Sequence, residues 1–282
     1  MTGSAEHLIW TADDAREWVA VPTADDDKYS RGVLGVITGS HDYPGAAVLG
    51  VEAAARTGVG MVRYTGPKAV GAVVLARRPE IVTQAGRVQA WLIGSGMTAG
   101  RRTFVLGGEM HQALVQGLPT VIDAGALDLT PDATGPTVIT PHAGELAAML
   151  SPRNTEGTLE HIRADASTWA ARAADEFGVT VLLKGSTTHV AAPGSPTYAV
   201  TDAPGWLATA GTGDVLAGIL GALLATNTER IAEDPARALP ALAATASFLH
   251  SRSAELASGG GPITALDVAE HVPAAIARLL RG

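Results

Sequence analysis

The feature that most restricts the fold is a repeated alternation between short apolar runs and longer segments of helical spacing. Val33–Ile37, Gly60–Thr65, Ala90–Ile93, Pro119–Asp123, Thr137–Thr140 and Val179–Leu183 read as strands. Each is short, apolar and bounded by glycine, proline or polar residues, as buried strands are. Between them, Ala46–Arg56, Phe104–Gln116, a segment opened by Pro141 and running to Leu150, and His161–Phe177 read as helices. His189–Ala192 and Tyr198–Thr201 predict a hairpin around Pro193-Gly194-Ser195-Pro196. Helices over about Pro235–Ala257 and Leu266–Leu280 end the chain; a short one over about Ala12–Val19 and an acidic connector, Asp25-Asp26-Asp27, fill residues 1–30. Strand–loop–helix–strand units with short turns demand right-handed parallel crossovers. The expected fold is therefore α/β: a three-layer αβα sandwich around a mostly parallel sheet, with residues 1–282 in one domain.

Composition narrows the function. The formal charge of −8 and the lack of a basic stripe argue against nucleic acid as a partner. No cysteine is present, which removes disulfides, thiolate metal sites and cysteine nucleophiles. The opening MTGSAEHLIWTADDAREW carries acids and no apolar core, unlike a secretory leader. Every apolar run is interrupted before membrane length. The expectation is a cytoplasmic enzyme with no membrane partner.

The most informative stretch is Gly205–Thr226, GWLATAGTGDVLAGILGALLAT. Gly211 and Gly213, interleaved with small residues, suit a tight turn that lets backbone approach a ligand. From Asp214 onward, apolar residues cover most of the circumference, which predicts a buried helix. A glycine turn feeding a helix aims unpaired N–H groups and the positive end of the helix dipole into the turn, making an anion site. Asp214 at the junction is either an N-cap or a catalytic base beside a phosphate.

In such sheets, ligands bind beyond the carboxyl ends of the strands. Gly39–Gly45, Gly94–Gly96, Asp123, Thr140–Glu145 and Lys184–Thr188 all fall at those ends. Gly94-Ser95-Gly96 followed by Gly100 misses the dinucleotide fingerprint by one residue, and no Walker loop occurs. Thr140 capping a helix begun by Pro141, with Glu145 in its first turn, explains three residues but not His142, which is free to meet a ligand. Lys184 is either a strand-end lysine or, with the hydroxyls that follow it, part of a phosphate site. His189 and His250 are expected as packed or surface histidines.

In order along the chain stand Gly39-Ser40-x-x-Tyr43-Pro44-Gly45-Ala46-Ala47, Ile93-Gly94-Ser95-Gly96-Met97, Ile122-Asp123-Ala124, Thr140-Pro141-His142-x-Gly144-Glu145, Leu183-Lys184-Gly185 and Ala208–Gly218. These six elements, within about Lys28–Leu256, resemble the ADP-dependent NAD(P)H-hydrate dehydratases of the ribokinase-like superfamily. The second element departs from the usual Gly-Pro-Gly-Leu-Gly by lacking the proline and the last glycine.

The resemblance implies a repair enzyme that uses ADP to dehydrate the S epimer of hydrated NADH or NADPH, releasing AMP and phosphate. It implies Asp214 as the base, with Gly211, Thr212 and Gly213 as the hole for the transferring phosphoryl group. Lys184, Gly185, Ser186, Thr187, Thr188 and Gly213 would hold the adenine nucleotide. Ala46, Gly96, His142 and Asp214 would meet the hydrated cofactor. Mg²⁺ would accompany the phosphates through few protein ligands. A homotetramer is expected, and so is a separate epimerase, because only about 30 residues precede the first strand. A kinase of the same superfamily acting on a vitamin-precursor alcohol, and a nucleotide-sensing module without activity, are the alternatives.

Overall fold

The structure is a computed structural model that describes residues 7–151 and 156–282; the first six residues of the N-terminal stretch lie outside it. Among the described residues, nine strands form one sheet in the order β1-β9-β8-β7-β6-β5-β4-β2-β3. They are β1 (His7–Ile9), β2 (Val33–Ile37), β3 (Met61–Tyr64), β4 (Ala90–Ile93), β5 (Thr120–Ile122), β6 (Thr137–Ile139), β7 (Thr180–Leu183), β8 (Thr188–Ala191) and β9 (Thr197–Val200). Every pairing is parallel except those of β8 with β7 and β9. The expected mostly parallel sheet, with the hairpin as its antiparallel exception, is therefore what the chain builds.

Side-chain alternation assigns the two faces. Leu34 and Val36 of β2 pack with Leu92, Val121, Val138, Leu182 and Val190 on one side. Val33 and Ile37 pack with Ile93, Ile122, Ile139, Val181 and Leu183 on the other. The first face is covered by α2 (Pro44–Thr57), α8 (Thr212–Thr226), α10 (Pro235–Ser258) and α11 (Ala265–Arg281). The second is covered by α4 (Phe104–Leu114), α5 (Ala143–Leu150), α6 (Leu159–Ala164) and α7 (Ala166–Phe177). This is the three-layer sandwich.

Helix α8 lies at the centre of the first layer, with every residue from Val215 to Ala225 buried. Its close approach to α2 depends on glycine: a β-carbon on Gly218 would stand 2.2 Å from the Gly50 carbonyl oxygen. Gly50 itself abuts the Asp214 backbone, its β-carbon position lying 3.4 Å from the Asp214 oxygen. Two backbones in contact thus hold the middle of α2 against the first half of α8, Asp214 included.

Some elements differ from expectation. His161–Phe177 is two helices, because Asp165 leaves the helical region (φ −145°, ψ 69°) and caps α7 by accepting from the Thr168 N–H. β1, α3 (Lys68–Arg77) and α9 (Thr228–Glu233) fall outside the expected alternation. β1 is three exposed residues paired with β9, and α9 is six residues long; neither shows enough periodicity to be read. α1 (Ala12–Glu17) matches the expected N-terminal helix, held by a Thr11–Asp14 capping box.

Candidate active site

Five loops meet beyond the carboxyl ends of the strands. Gly211, in the left-handed region at φ +89°, turns the chain into α8. The first intrahelical bond there is donated by the Val215 N–H to the Gly211 carbonyl. The N–H groups of Thr212, Gly213 and Asp214 therefore precede the helical ladder and point out of its mouth. The Thr212 hydroxyl lies 3.0 and 2.9 Å from the Leu207 and Thr209 carbonyls and pins the incoming loop. Thr212 thus offers the mouth its backbone rather than its side chain.

Asp214 is the third residue of α8, and Gly211 occupies the cap position with no side-chain cap bond. Between the two readings of Asp214, the capping role is removed. The carboxyl is partly buried, and burial, reinforced by the Asp123 carboxylate and opposed by Lys184, pushes its pKa up to about 7. A carboxylic acid with a pKa near neutrality, at a helix mouth, can both take up and give back a proton at pH 7.

Behind it lies a buried polar cluster. Asp123, at the end of β5 and 2% exposed, accepts from the Ser95 hydroxyl (2.8 Å), the Thr140 hydroxyl (2.7 Å) and the Lys184 ammonium (3.0 Å). Thr140 therefore serves Asp123 and does not cap α5. The cap is His142: its Nδ1 accepts from the Gly144 and Glu145 N–H groups, and Glu145 accepts from the His142 N–H. Its Nδ1 being an acceptor, the ring proton of neutral His142 sits on Nε2, which lies 3.6 Å from Glu145 Oε2.

Lys184 does not reach for solvent. Burial alone would lower its pKa, but Asp123, Glu145 at 3.8 Å and Asp214 hold it above the usual lysine value. Its Nζ stands 3.6 Å from where a β-carbon of Gly213 would be, so a cation closes one side of the α8 mouth. His142 bridges to Lys184 in parallel strand fashion, with the Lys184 N–H donating to the Pro141 carbonyl at 2.9 Å.

Two clefts share Lys184 as a wall. One, of about 370 Å³, is lined by Lys184, Gly185, Ser186, Thr188, Thr212 and Gly213, with Pro204, Leu207 and His250 opposite. His250 is a packed histidine, as expected; burial pushes it down to about 4, so it is neutral at pH 7. The other, of about 650 Å³, contains His142, Thr187 and the buried His189, whose pKa is likewise lowered by burial. Five of the six residues expected around a nucleotide thus line the first cleft, and Thr187 lines the second. Ala46 and Gly96 are brought together. Gly96 (φ +66°) leaves only 2.3 Å between the position of its missing β-carbon and the Ala46 Cβ, so the loop after β4 rests on the start of α2.

The signal for Asp123 was present as a strand-end acid, but its three partners lie 28, 17 and 61 residues away. No local pattern could connect them.

The family model described as NAD(P)H-hydrate dehydratase matches residues 34–272. The chain belongs to the NAD(P)H-hydrate dehydratase family. It is 39% identical over 290 residues to the bifunctional NAD(P)H-hydrate repair enzyme Nnr of Mycobacterium leprae, a match covering 96% of this chain and 56% of that protein. The chain therefore spans about half the length of such bifunctional relatives. It is 30% identical over 263 residues to the ADP-dependent (S)-NAD(P)H-hydrate dehydratase of Bacillus subtilis, covering 88% of this chain and 89% of that protein. A crystal structure of the ADP/ATP-dependent NAD(P)H-hydrate dehydratase of B. subtilis, co-crystallised with ATP and Mg²⁺, superposes with a TM-score of 0.83. It is 25% identical and covers 97% of this chain and 99% of that one. A ribokinase-like superfamily protein of Enterococcus faecalis, 22% identical with a TM-score of 0.80 and covering 98% of this chain and 97% of that one, shares the fold.

Proposed function

We propose that this chain dehydrates the S epimer of hydrated NADH or NADPH at the expense of ADP, a hydro-lyase reaction that restores the reduced cofactor. The observation that carries it is Asp214, a carboxyl raised to about 7 and placed beside three unpaired N–H groups and a lysine. Family membership and the names of the relatives favour this reading over a vitamin-precursor kinase or a sensing module.

Ionised Asp214 takes the proton of the hydrate hydroxyl, whose oxygen then bonds to the β-phosphorus of ADP as the bond to AMP breaks. Gly211 shapes the turn, and the N–H groups of Thr212 and Gly213 meet the charge that develops on the phosphoryl oxygens. The phosphate ester then leaves with its electron pair, assisted by the ring nitrogen, and loss of a neighbouring ring proton restores the double bond. Lys184, Gly185, Ser186, Thr188 and Gly213, which line the smaller cleft, hold the nucleotide, with Thr187 reaching it from the neighbouring cleft. Ala46, Gly96 and the Nε2–H of His142 meet the hydrated dinucleotide.

Among the described residues no group of three or more histidine or acidic side chains is placed to hold a metal. Mg²⁺ would accompany the nucleotide phosphates through few protein ligands and would neutralise their charge; no step is assigned to it. A cytoplasmic location fits the described residues, in which no helix is long and apolar enough to cross a membrane. A homotetramer is proposed, with Phe104 (96% exposed) and Val105 as apolar surface available to a second copy. The bifunctional names of several relatives support a coupled second repair activity, proposed as epimerisation.

The test is incubation with hydrated NADH or NADPH plus ADP, then plus ATP, following the return of reduced-nicotinamide absorbance. Recovery supports the proposal. No recovery with either nucleotide, together with phosphorylation of a vitamin-precursor alcohol, would replace it with the kinase.

A further inference from the structure

Ser95, Asp123, Thr140 and Lys184 stand at the carboxyl ends of four adjacent strands, β4, β5, β6 and β7. In a purely structural cluster the charges would be arranged to neutralise each other out of the way of the ligand. Here one end of the cluster faces the mouth of α8. Both Asp123 oxygens are occupied, Oδ2 by Ser95 and Oδ1 by Thr140 and Lys184, so the carboxylate has one orientation. Lys184 has four side-chain torsions and would otherwise sweep the cleft. Its Nζ is instead fixed where Gly213, having no side chain, leaves room for it.

We propose that Asp123 is a positioning residue for the phosphoryl transfer: it locks the Lys184 ammonium against the anion cradle and sets its own charge behind the Asp214 carboxyl. This rests on the activity proposed above and extends it to a residue that touches neither substrate.

The groups that face Asp214 and Lys184 come from every surrounding element. Asp123 follows β5, Glu145 and His142 open α5, His250 comes from α10, and Lys184 itself ends β7. Asp123 is the one carboxylate that both binds Lys184 directly and raises Asp214. Removing its charge therefore moves two things together. Lys184 loses its anchor, and Asp214 loses its like-charged neighbour, so its ionisation shifts toward the ordinary carboxylate range.

The test is Asp123→Asn, close in shape but uncharged, with three readouts. Turnover with ADP is expected to fall ~10²-fold, mostly in kcat rather than in KM for ADP, the scale of a misplaced reacting group. The pH at which turnover rises is expected to drop by at least about one unit. Carbon-13 titration of Asp214 in the wild-type and variant proteins, which needs no substrate, is expected to show the same drop. A lowered melting temperature with an unmoved Asp214 titration and an unchanged kcat would make Asp123 merely structural and overturn the inference. Failure of the wild-type chain to restore hydrated cofactor would instead overturn the activity, and the Asp214 titration would still decide the electrostatic claim. If Asp123→Asn does not fold, the Ser95→Ala, Thr140→Val double variant removes both hydroxyl donors and keeps both charges. It is expected to lower kcat ~10-fold, and an unchanged kcat there overturns the inference.

Discussion

Replacing Asp214 with asparagine should make the protein more stable at pH 8, not less. The pKa of Asp214 rises from 3.8 in an exposed chain to about 7 in the fold, chiefly by burial. Below about pH 4 both folded and unfolded states carry the proton, and the group has no effect on stability. Between those values the unfolded chain ionises while the folded one does not, so stability is lost as pH rises, until above about 7 the loss is complete. A shift of about three units at 1.36 kcal/mol each sets a ceiling of about 4 kcal/mol. Partial exposure of the carboxyl halves this, to about 2 kcal/mol. Asparagine never ionises, so its variant escapes the loss. Thermal unfolding without ligand should place Asp214→Asn about 4–8 °C above wild type at pH 8 and much closer to it at pH 5. A variant that melts at or below wild type at pH 8, or whose advantage is the same at both pH values, would refute the electrostatic reading of the site.

Other consequences can be checked in parallel. Gly218→Ala places a β-carbon 2.2 Å from the Gly50 carbonyl oxygen, so α2 and α8 must separate, and urea unfolding should show a loss of about 1–3 kcal/mol. Gly211→Ala adds a β-carbon in the left-handed region, 2.5 Å from Leu49 Cδ1; equilibrium unfolding should show a cost of about 1–3 kcal/mol, and ADP affinity by calorimetry should fall as the turn shifts. Glu52 is fully buried and bound by Arg56, Arg77 and Arg78. Glu52→Gln should cost about 3–5 kcal/mol at pH 7 by urea unfolding. Because Arg78 and Arg56 hold the Glu52 pKa below its ordinary 4.5 against burial, its stabilisation is full above pH 4.5. The cost of the substitution should shrink as pH falls below that value, through the lowered folded pKa.

What the sequence reveals follows from how local each signal is. Helix α8 and its glycine turn are written in consecutive residues, because a buried helix needs apolar side chains all round and a left-handed turn needs Gly211. The six strands β2 to β7 are legible for the same reason. The α5 cap misleads because threonine and proline are the usual helix openers, whereas the structure puts a histidine ring in that role and gives Thr140 to Asp123. β1 escapes notice because three residues carry no period, and their partner β9 lies about 190 positions away. The polar cluster around Asp123 is invisible locally, since only the folded sheet sets four strand ends side by side.

The central claim is that Asp214 works as a base whose charge state follows its buried site. Its most direct test is the pH dependence of hydrated NADH repair with ADP, measured for wild type and Asp214→Asn with nucleotide binding followed separately. Wild-type turnover should climb as pH passes through about 7, while the variant binds ADP normally, shows no such climb and turns over at least ~100-fold more slowly above that pH. A variant that repairs the cofactor at the wild-type rate would contradict the account.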